Sequence, residues 1–330
     1  MKNFALRLTA VAALAALASP AFAAFDANIE FDNTWLNDRK FDDGEGGTTK
    51  VKRGIEQSGR VELNASGKAG PDVFIAGRAS FLAKKDGSVA TDDMWVQVGN
   101  ASADLKLGRF EAADLFPLPR DVLVLYADGG DGSVGNTVYR SNVLRGRTGG
   151  NLFHAAGTFN AGGGLSVELG LIETKNTADG TFKGLRPVVA YANGPLTVRG
   201  GVELIRWADG AEFNKATGFG LTAGYNLGGV TLTGNYANLK VDDGGVDLKT
   251  NTLGLIASAD MGLTGGVILY KAKVPGASDY KITTFYAAYA IPFFDIKGAT
   301  ISPAISVSNA SGSNNNPDER GVRVRFNYAF

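Results

Sequence analysis

The chain has 330 residues, no cysteine, a single histidine (His154), and 33 basic against 33 acidic residues. The lack of cysteine excludes disulfide scaffolds, zinc ribbons and cysteine nucleophiles, and the single histidine excludes a histidine-rich metal site. A net charge of zero gives no electrostatic argument for nucleic-acid binding, which usually shows as an excess of basic residues.

Residues 1–23 have the organisation of a secretory signal peptide. Lys2 and Arg7 form a positive start, residues 8–18 are an apolar run, and Ala21 and Ala23 supply the small residues of a cleavage site. The apolar run is too short to span about 30 Å of hydrocarbon as a helix. We therefore predict export and cleavage after Ala23, leaving residues 24–330.

The rest of the chain alternates apolar and polar residues with the period and length of membrane strands. Alternating segments follow one another at 27–35, 60–66, 165–171, 285–291, 301–308 and 322–330. In the last segment Val322, Val324 and Phe326 share one face, and Arg323 and Arg325 share the other. Two arginines on one face require water or a polar lumen. The alternation therefore predicts a lipid face and a lumen face.

Turn signals divide this region into strands. Short ones fall at 67–71, 100–103, 160–164, 193–195, 227–229, 259–262 and 292–298. Longer polar breaks fall at 37–56, 84–92, 111–145, 174–184, 207–216, 241–248, 274–279 and 309–317. Seven short plus eight long connections give 15, hence about 16 strands. The predicted fold is all-β, a transmembrane antiparallel up-and-down β-barrel with short periplasmic turns and long extracellular loops.

The signal peptide, these 16 segments and the closing run from Arg323 to Phe330 resemble the Gram-negative outer-membrane porins. The resemblance implies a homotrimer in the outer membrane of a Gram-negative bacterium, surrounded by lipid and lipopolysaccharide. It also implies that Tyr328 and Phe330 form the C-terminal signal that the barrel assembly machinery reads. The implied function is passive diffusion of ions and small hydrophilic solutes through a water-filled channel, with no enzymatic activity, no cofactor and no nucleic-acid partner.

The resemblance further implies that the third long loop, here 111–145, folds into the lumen and narrows it. It follows the sequence Leu-Gly-Arg at 107–109, which is similar to the residues before this loop in many porins. The Pro-Glu-Phe-Gly-Gly signature of the family is absent, and residues 115–121 stand in its place. That departure leaves ion selectivity unassigned.

A constriction is expected where this loop faces the barrel wall. The loop candidates are Glu111, Asp114, Phe116, Arg120, Asp121, Tyr126 and Asp128. We expect the loop acids to supply negative charge, and the apolar stretch 122–126 to pack on the inner wall. Alternation along the strands predicts that Arg60 and Arg78 face these acids from the barrel wall. The resemblance implies the same for Arg109. Alternation alone turns Arg109 outward, so its inward position requires a bulge or a strand end. For each charge the alternative is an ordinary solvated residue.

Other functions make different demands on the sequence. A carbohydrate-type channel would use aromatic side chains in the constriction, for which Phe110, Phe116 and Tyr126 are candidates. A barrel lipase or protease would need His154, which alternation places on the lumen wall without a supporting motif. A structural or adhesion barrel would not need charged inward faces. Loop aspartates leave room for structural calcium, but no spacing assigns a site.

Overall fold

The structure is a computed structural model. It describes residues 24–42, 48–51, 53–69, 72–127, 139, 147, 152–176, 180–209, 212–244, 246–273, 275–276, 278–312 and 318–330. The predicted signal peptide, 1–23, lies outside these residues, as does much of the predicted loop 111–145. Among the described residues, no helix is long and apolar enough to cross a membrane.

Sixteen of the 19 strands in the described part of the chain close into one antiparallel barrel. The strands are β1 (Ala24–Leu36), β2 (Arg39–Asp42), β3 (Thr48–Val51), β4 (Ile55–Ala69), β5 (Val73–Ala83), β6 (Val89–Gly99), β7 (Ala103–Arg109), β8 (Leu152–Gly162), β9 (Leu165–Asn176), β10 (Gly180–Asn193), β11 (Leu196–Asp209), β12 (Glu212–Asn226), β13 (Val230–Asp243), β14 (Val246–Ala259), β15 (Leu263–Lys273), β16 (Tyr280–Tyr289), β17 (Ile291–Pro292), β18 (Ala299–Ser311) and β19 (Asp318–Ala329). The β2–β3 hairpin lies in the first loop, and β17 is a two-residue strand before the last turn. Because β1 pairs with both β4 and β19, the barrel has no free edge. The predicted 16-stranded fold is confirmed.

Three connections that the sequence predicts to be long are mostly strand. The breaks at 174–184, 207–216 and 241–248 shrink to the few residues between β9 and β10, β11 and β12, and β13 and β14. Backbone pairing continues through these polar stretches because the ladder needs no apolar side chains. Opposite charges across the strands support it, with Lys183 Nζ 3.1 Å from Glu173 and Lys215 Nζ 3.2 Å from Asp242.

The two faces of the wall differ as the alternation predicts. On β19, Val322 and Phe326 are exposed on the outer surface, whereas Arg323 and Arg325 are buried on the inner side. The register between β1 and β19 places Asp32 opposite Arg325. The apolar core lies inside the barrel, where the third loop packs against β15, β16 and β18.

Candidate functional site

The third loop leaves β7 and runs along the inner wall of the barrel. Gly108, with φ +119°, turns the chain at the end of the strand. The loop backbone is then tied to successive strands: Ala113 N–H donates to Glu168 (3.1 Å), Arg199 donates to the Asp114 carbonyl (3.2 Å), and Asn235 donates to the Pro117 carbonyl (2.8 Å). These bonds fix the loop within the lumen.

Wall glycines make room for the apolar part of the loop. Phe116 is fully buried. A Cβ at Gly254 would lie 2.7 Å from the end of its ring, and a Cβ at Gly220 would lie 2.9 Å from the Leu115 carbonyl oxygen. A side chain at either position would therefore displace the loop.

The predicted packing of 122–126 against the wall is present. Residues 122–125 are at most 2% exposed to solvent. The Leu125 N–H donates to the Ser306 hydroxyl at 3.2 Å, and the Ala127 N–H donates to the Ser308 hydroxyl at 3.1 Å. The Tyr139 hydroxyl donates to the Leu125 carbonyl at 3.0 Å. Burial raises the pKa of this hydroxyl above its usual range, so it stays protonated as a donor.

Two arginines of the closing strand hold the middle of the loop. Arg323 Nη2 donates to the carbonyls of Asp121 and Val122, each at 3.0 Å. Arg325 Nη1 donates to the Arg120 carbonyl at 3.0 Å, while its Nε and Nη2 bind Asp32 at 2.8 and 2.9 Å. The lumen face of β19 therefore positions the loop as well as carrying charge.

Beside this anchored loop lies a cluster of ionised groups, which we call the constriction cluster. It comprises Arg60, Arg78, Arg120 and Arg147 with Glu30, Glu62, Asp92 and Asp93. Arg60 binds Glu30 through two nitrogens at 3.1 Å each, and Arg120 Nη2 lies 3.0 Å from Glu62. Two of its arginines come from the wall and two from the third loop.

A β-bulge aims two successive acids into the lumen. The register of β5 against β6 shifts between Ala79 and Phe81, so Ser80 faces both Asp92 and Asp93. Without the bulge, consecutive residues would point to opposite faces. Both acids bind Arg147, at 2.9 Å for Asp92 and 2.7 Å for Asp93.

The arginine side chains of the cluster are more exposed to solvent than its carboxylates. The four arginine side chains are 20–48% exposed, whereas the four acidic side chains are 3–7% exposed. The formal charges cancel, four against four. Within this cluster the guanidinium groups are therefore the charges that solvent reaches, and the carboxylates are buried beneath them.

The predicted basic residues have different places. Arg60 and Arg78 point inward and belong to the cluster. Arg109 ends β7 opposite Met94, and its Nε donates to the backbone carbonyl of Asp92 at 2.8 Å. The strand end that its inward role requires is thus present, but this nitrogen is bound to the β6 backbone.

The loop acids are dispersed. Glu111 lies 3.8 Å from Arg147, Asp114 accepts the Phe116 N–H at 2.9 Å, and Asp121 meets Arg323 through its main chain. Asp128 lies outside the described residues. The expected opposition of loop acids and wall bases is largely reversed, since the wall supplies the buried acids and the loop brings Arg120 and Arg147.

Sequence reasoning did not predict any of the four acids of the cluster, nor Arg147. Alternation signals the inward direction of Glu30 and Glu62, and the spacing of Glu62 two residues after Arg60 puts them on one face. No local pattern indicates the bulge at Asp92 and Asp93. Arg147 lies beyond the predicted end of the loop.

The candidate aromatic residues do not form one exposed track. Phe110 stacks on His154 with ring centroids 3.7 Å apart, and both are buried. Phe116 is also buried, and Tyr126 packs edge-on against Tyr139 and Tyr270. These contacts make the aromatic side chains packing elements of the loop, and they leave the His154 ring out of solvent.

The C-terminal aromatics lie on the outer surface. Tyr328 and Phe330 are exposed and stack with centroids 5.1 Å apart. Phe330 exchanges backbone hydrogen bonds with Ala27 at 2.8 and 2.9 Å, which closes the barrel at its end. Among the described residues, no group of three or more His, Asp or Glu side chains is arranged to hold a metal ion.

Known proteins share this architecture. The model of the Gram-negative porin family matches residues 10–330. Outer membrane porin protein 32 of Delftia acidovorans is 32% identical over 190 residues, 53% of each protein, so this chain covers about half of that relative's length.

Solved structures give the same result for the fold. The trimer form of OmpT of Vibrio cholerae matches with a TM-score of 0.68 at 12% identity, over 94% of this chain and 99% of that one. The anion-selective porin from Comamonas acidovorans matches with a TM-score of 0.65 at 15% identity, over 94% and 99%. OmpF of Salmonella typhi matches with a TM-score of 0.63 at 16% identity, over 93% and 97%. At these identities the matches show the fold alone.

Proposed function

This chain belongs to the Gram-negative porin family, and we propose that it is a general-diffusion channel with a preference for small anions. Family membership places it in the outer membrane of a Gram-negative bacterium. The proposed cargo is ions and small hydrophilic solutes, which cross passively in water. No chemical step and no cofactor is part of this function.

One observation carries the proposed preference: the arginines of the constriction cluster are exposed and its carboxylates are not. Charge at a narrowing sets ion preference through its local field, irrespective of the net charge of the chain. An anion passing the cluster is attracted by solvated guanidinium groups such as Arg120 and Arg78. A cation is repelled by them, and the carboxylates of Glu30 and Glu62 are buried behind arginine side chains.

The relatives agree with this proposal without deciding it. One structurally similar protein bears the name anion-selective porin, and another is described in a trimer form. We propose a homotrimer for this chain too, assembled by the outer-membrane barrel machinery through Tyr328 and Phe330 and set among lipopolysaccharide. A carbohydrate-type channel has less support, because Phe110 and Phe116 are buried under the loop instead of lining a path for sugar rings.

The test is planar-bilayer recording of the purified protein across a salt gradient, followed by addition of maltooligosaccharide. We expect conductance steps in groups of three, a reversal potential with the sign of anion preference, and no block by sugar. A reversal potential with the sign of cation preference would contradict the role of the exposed arginines. Saturable block by sugar would identify a carbohydrate channel, and a lack of conductance would refute the pore itself.

A further inference from the structure

Three successive connections at the short-turn end of the barrel expose large apolar side chains. Leu227 lies between β12 and β13, Met261 between β14 and β15, and Phe294 between β16 and β18. Their exposures are 61%, 69% and 82%, which is unusual because turn residues are normally polar or glycine. We call these three residues the turn arc.

The other connections at this end differ. Their described residues are Asp72, residues 100–102 (Asn-Ala-Ser), 163–164 (Gly-Gly) and 194–195 (Gly-Pro), among which there is no large apolar side chain. Strands lie about 4.8 Å apart and successive hairpins two strands apart, so the turn arc covers about 20 Å of one side of the rim. The apolar residues are therefore concentrated on one side.

The backbone presents Phe294 in a strained conformation. Phe294 and Asp295 have φ of +48° and +57°, and Ile296 N–H donates to the Phe293 carbonyl at 3.0 Å. Two successive positive φ values define a turn that usually contains Asn and Gly. A phenylalanine there is an outlier, which favours a function for the exposed ring over a role in the turn itself.

The turn arc is continuous with the outer wall of the barrel. The rings of Phe294 and Phe293 lie 4.5 Å apart, and those of Phe293 and Phe326 lie 5.8 Å apart. Phe326 faces outward on β19, on the surface that the membrane covers. Beside the other two turns, Tyr225 and Leu263 are likewise exposed on the outer wall.

We infer that the turn arc is inserted into the interface of the periplasmic leaflet, in contact with phospholipid, while the opposite rim stands in water. Short turns of outer-membrane barrels face the periplasm. Asp260, Asp295 and Lys297 flank the apolar side chains. This combination of apolar and charged groups suits the boundary between headgroups and acyl chains better than the hydrocarbon core. The arc anchors one side of the barrel deeper than the other.

Single-cysteine spin labelling tests this placement, since the full chain contains no cysteine of its own. The arc variants are Leu227→Cys, Met261→Cys and Phe294→Cys, and the controls on the opposite rim are Asp72→Cys and Ala101→Cys. Each labelled protein is reconstituted into vesicles of phosphatidylethanolamine with a minority of phosphatidylglycerol. Power saturation then compares collisions with oxygen, which concentrates in lipid, and with a nickel chelate, which stays in water.

We expect oxygen to dominate at the three arc sites and nickel to dominate at both controls. Equal access of nickel to all five labels would overturn the inference, because the arc would then lie in water. Shielding of the arc labels from both reagents would also overturn it, because protein would then cover the arc. Spin–spin broadening in that case would identify a second copy of the chain as the cover.

Discussion

Arg120 is the residue whose loss tests the proposed ion preference most directly. At 48% exposure its side chain is the most accessible of the constriction cluster. Replacement by Gln leaves Glu30 bound to Arg60 at 3.1 Å and Glu62 within 3.4 Å of Arg78. The main-chain carbonyl of residue 120 still accepts the bond from Arg325. Arg120→Gln therefore removes one exposed charge and preserves the loop.

The size of the effect follows from Coulomb's law. A guanidinium about 6 Å from a passing monovalent ion contributes roughly 0.7 kcal/mol at the dielectric constant of water, with opposite signs for anion and cation. The permeability ratio of anion to cation would fall about tenfold without screening. At 0.1 M salt, where the Debye length is about 10 Å, we expect a fall of roughly three- to fivefold.

Reversal potentials of single channels in a salt gradient measure this ratio. The matched control is Lys85→Gln, which removes one positive charge from an exposed turn where Lys85 binds Glu56 at 2.7 Å. The control is expected to match the unmodified protein. An Arg120→Gln channel with the same reversal potential as the control would refute the argument that exposed guanidinium groups set the preference.

Three further predictions concern the loop, the buried acids and the outer wall. Gly220→Ala places a methyl group 2.9 Å from a loop carbonyl oxygen, which displaces the loop, so conductance and current noise should rise. The control Gly234→Ala has no neighbour nearer than 4.0 Å and should change neither. Glu62→Gln removes negative charge behind the arginines and should shift the reversal potential further toward anions; a shift toward cations would contradict the buried position of that charge. Val324→Asp places a charge on the lipid face, at a cost of up to about 2 kcal/mol, and should reduce the fraction of heat-stable barrel on semi-native gels. Arg325→Gln should keep the barrel. Equal heat stability of the two variants would contradict the assignment of Val324 to the lipid face and Arg325 to the lumen face.

The sequence predicted the barrel because its signals are local. Alternation has the period of a strand, and a polar face such as the one with Arg323 and Arg325 cannot contact lipid. The sequence of a segment therefore indicates which of its faces points to the lumen. Turn residues mark where segments end, which is why the count of 16 is correct. The length of a loop cannot be predicted from local sequence alone, because the end of a strand depends on pairing with its neighbour. The strands β9 and β10 pair with each other and therefore continue through the break predicted at 174–184.

Alternation predicts the lumen face wherever the strand ladder is regular, as at Arg60, Arg78 and Arg323, and the apolar run 122–126 indicates a segment that must pack on a surface. The pairing of the charges follows from the tertiary structure, because it depends on register, on a bulge and on the path of the loop. The bulge turns Asp92 and Asp93 to one side, and the loop brings Arg120 and Arg147 to acids distant in sequence. Exposure is likewise a property of the assembled barrel, and it makes a cluster of balanced formal charge present its positive groups to the lumen.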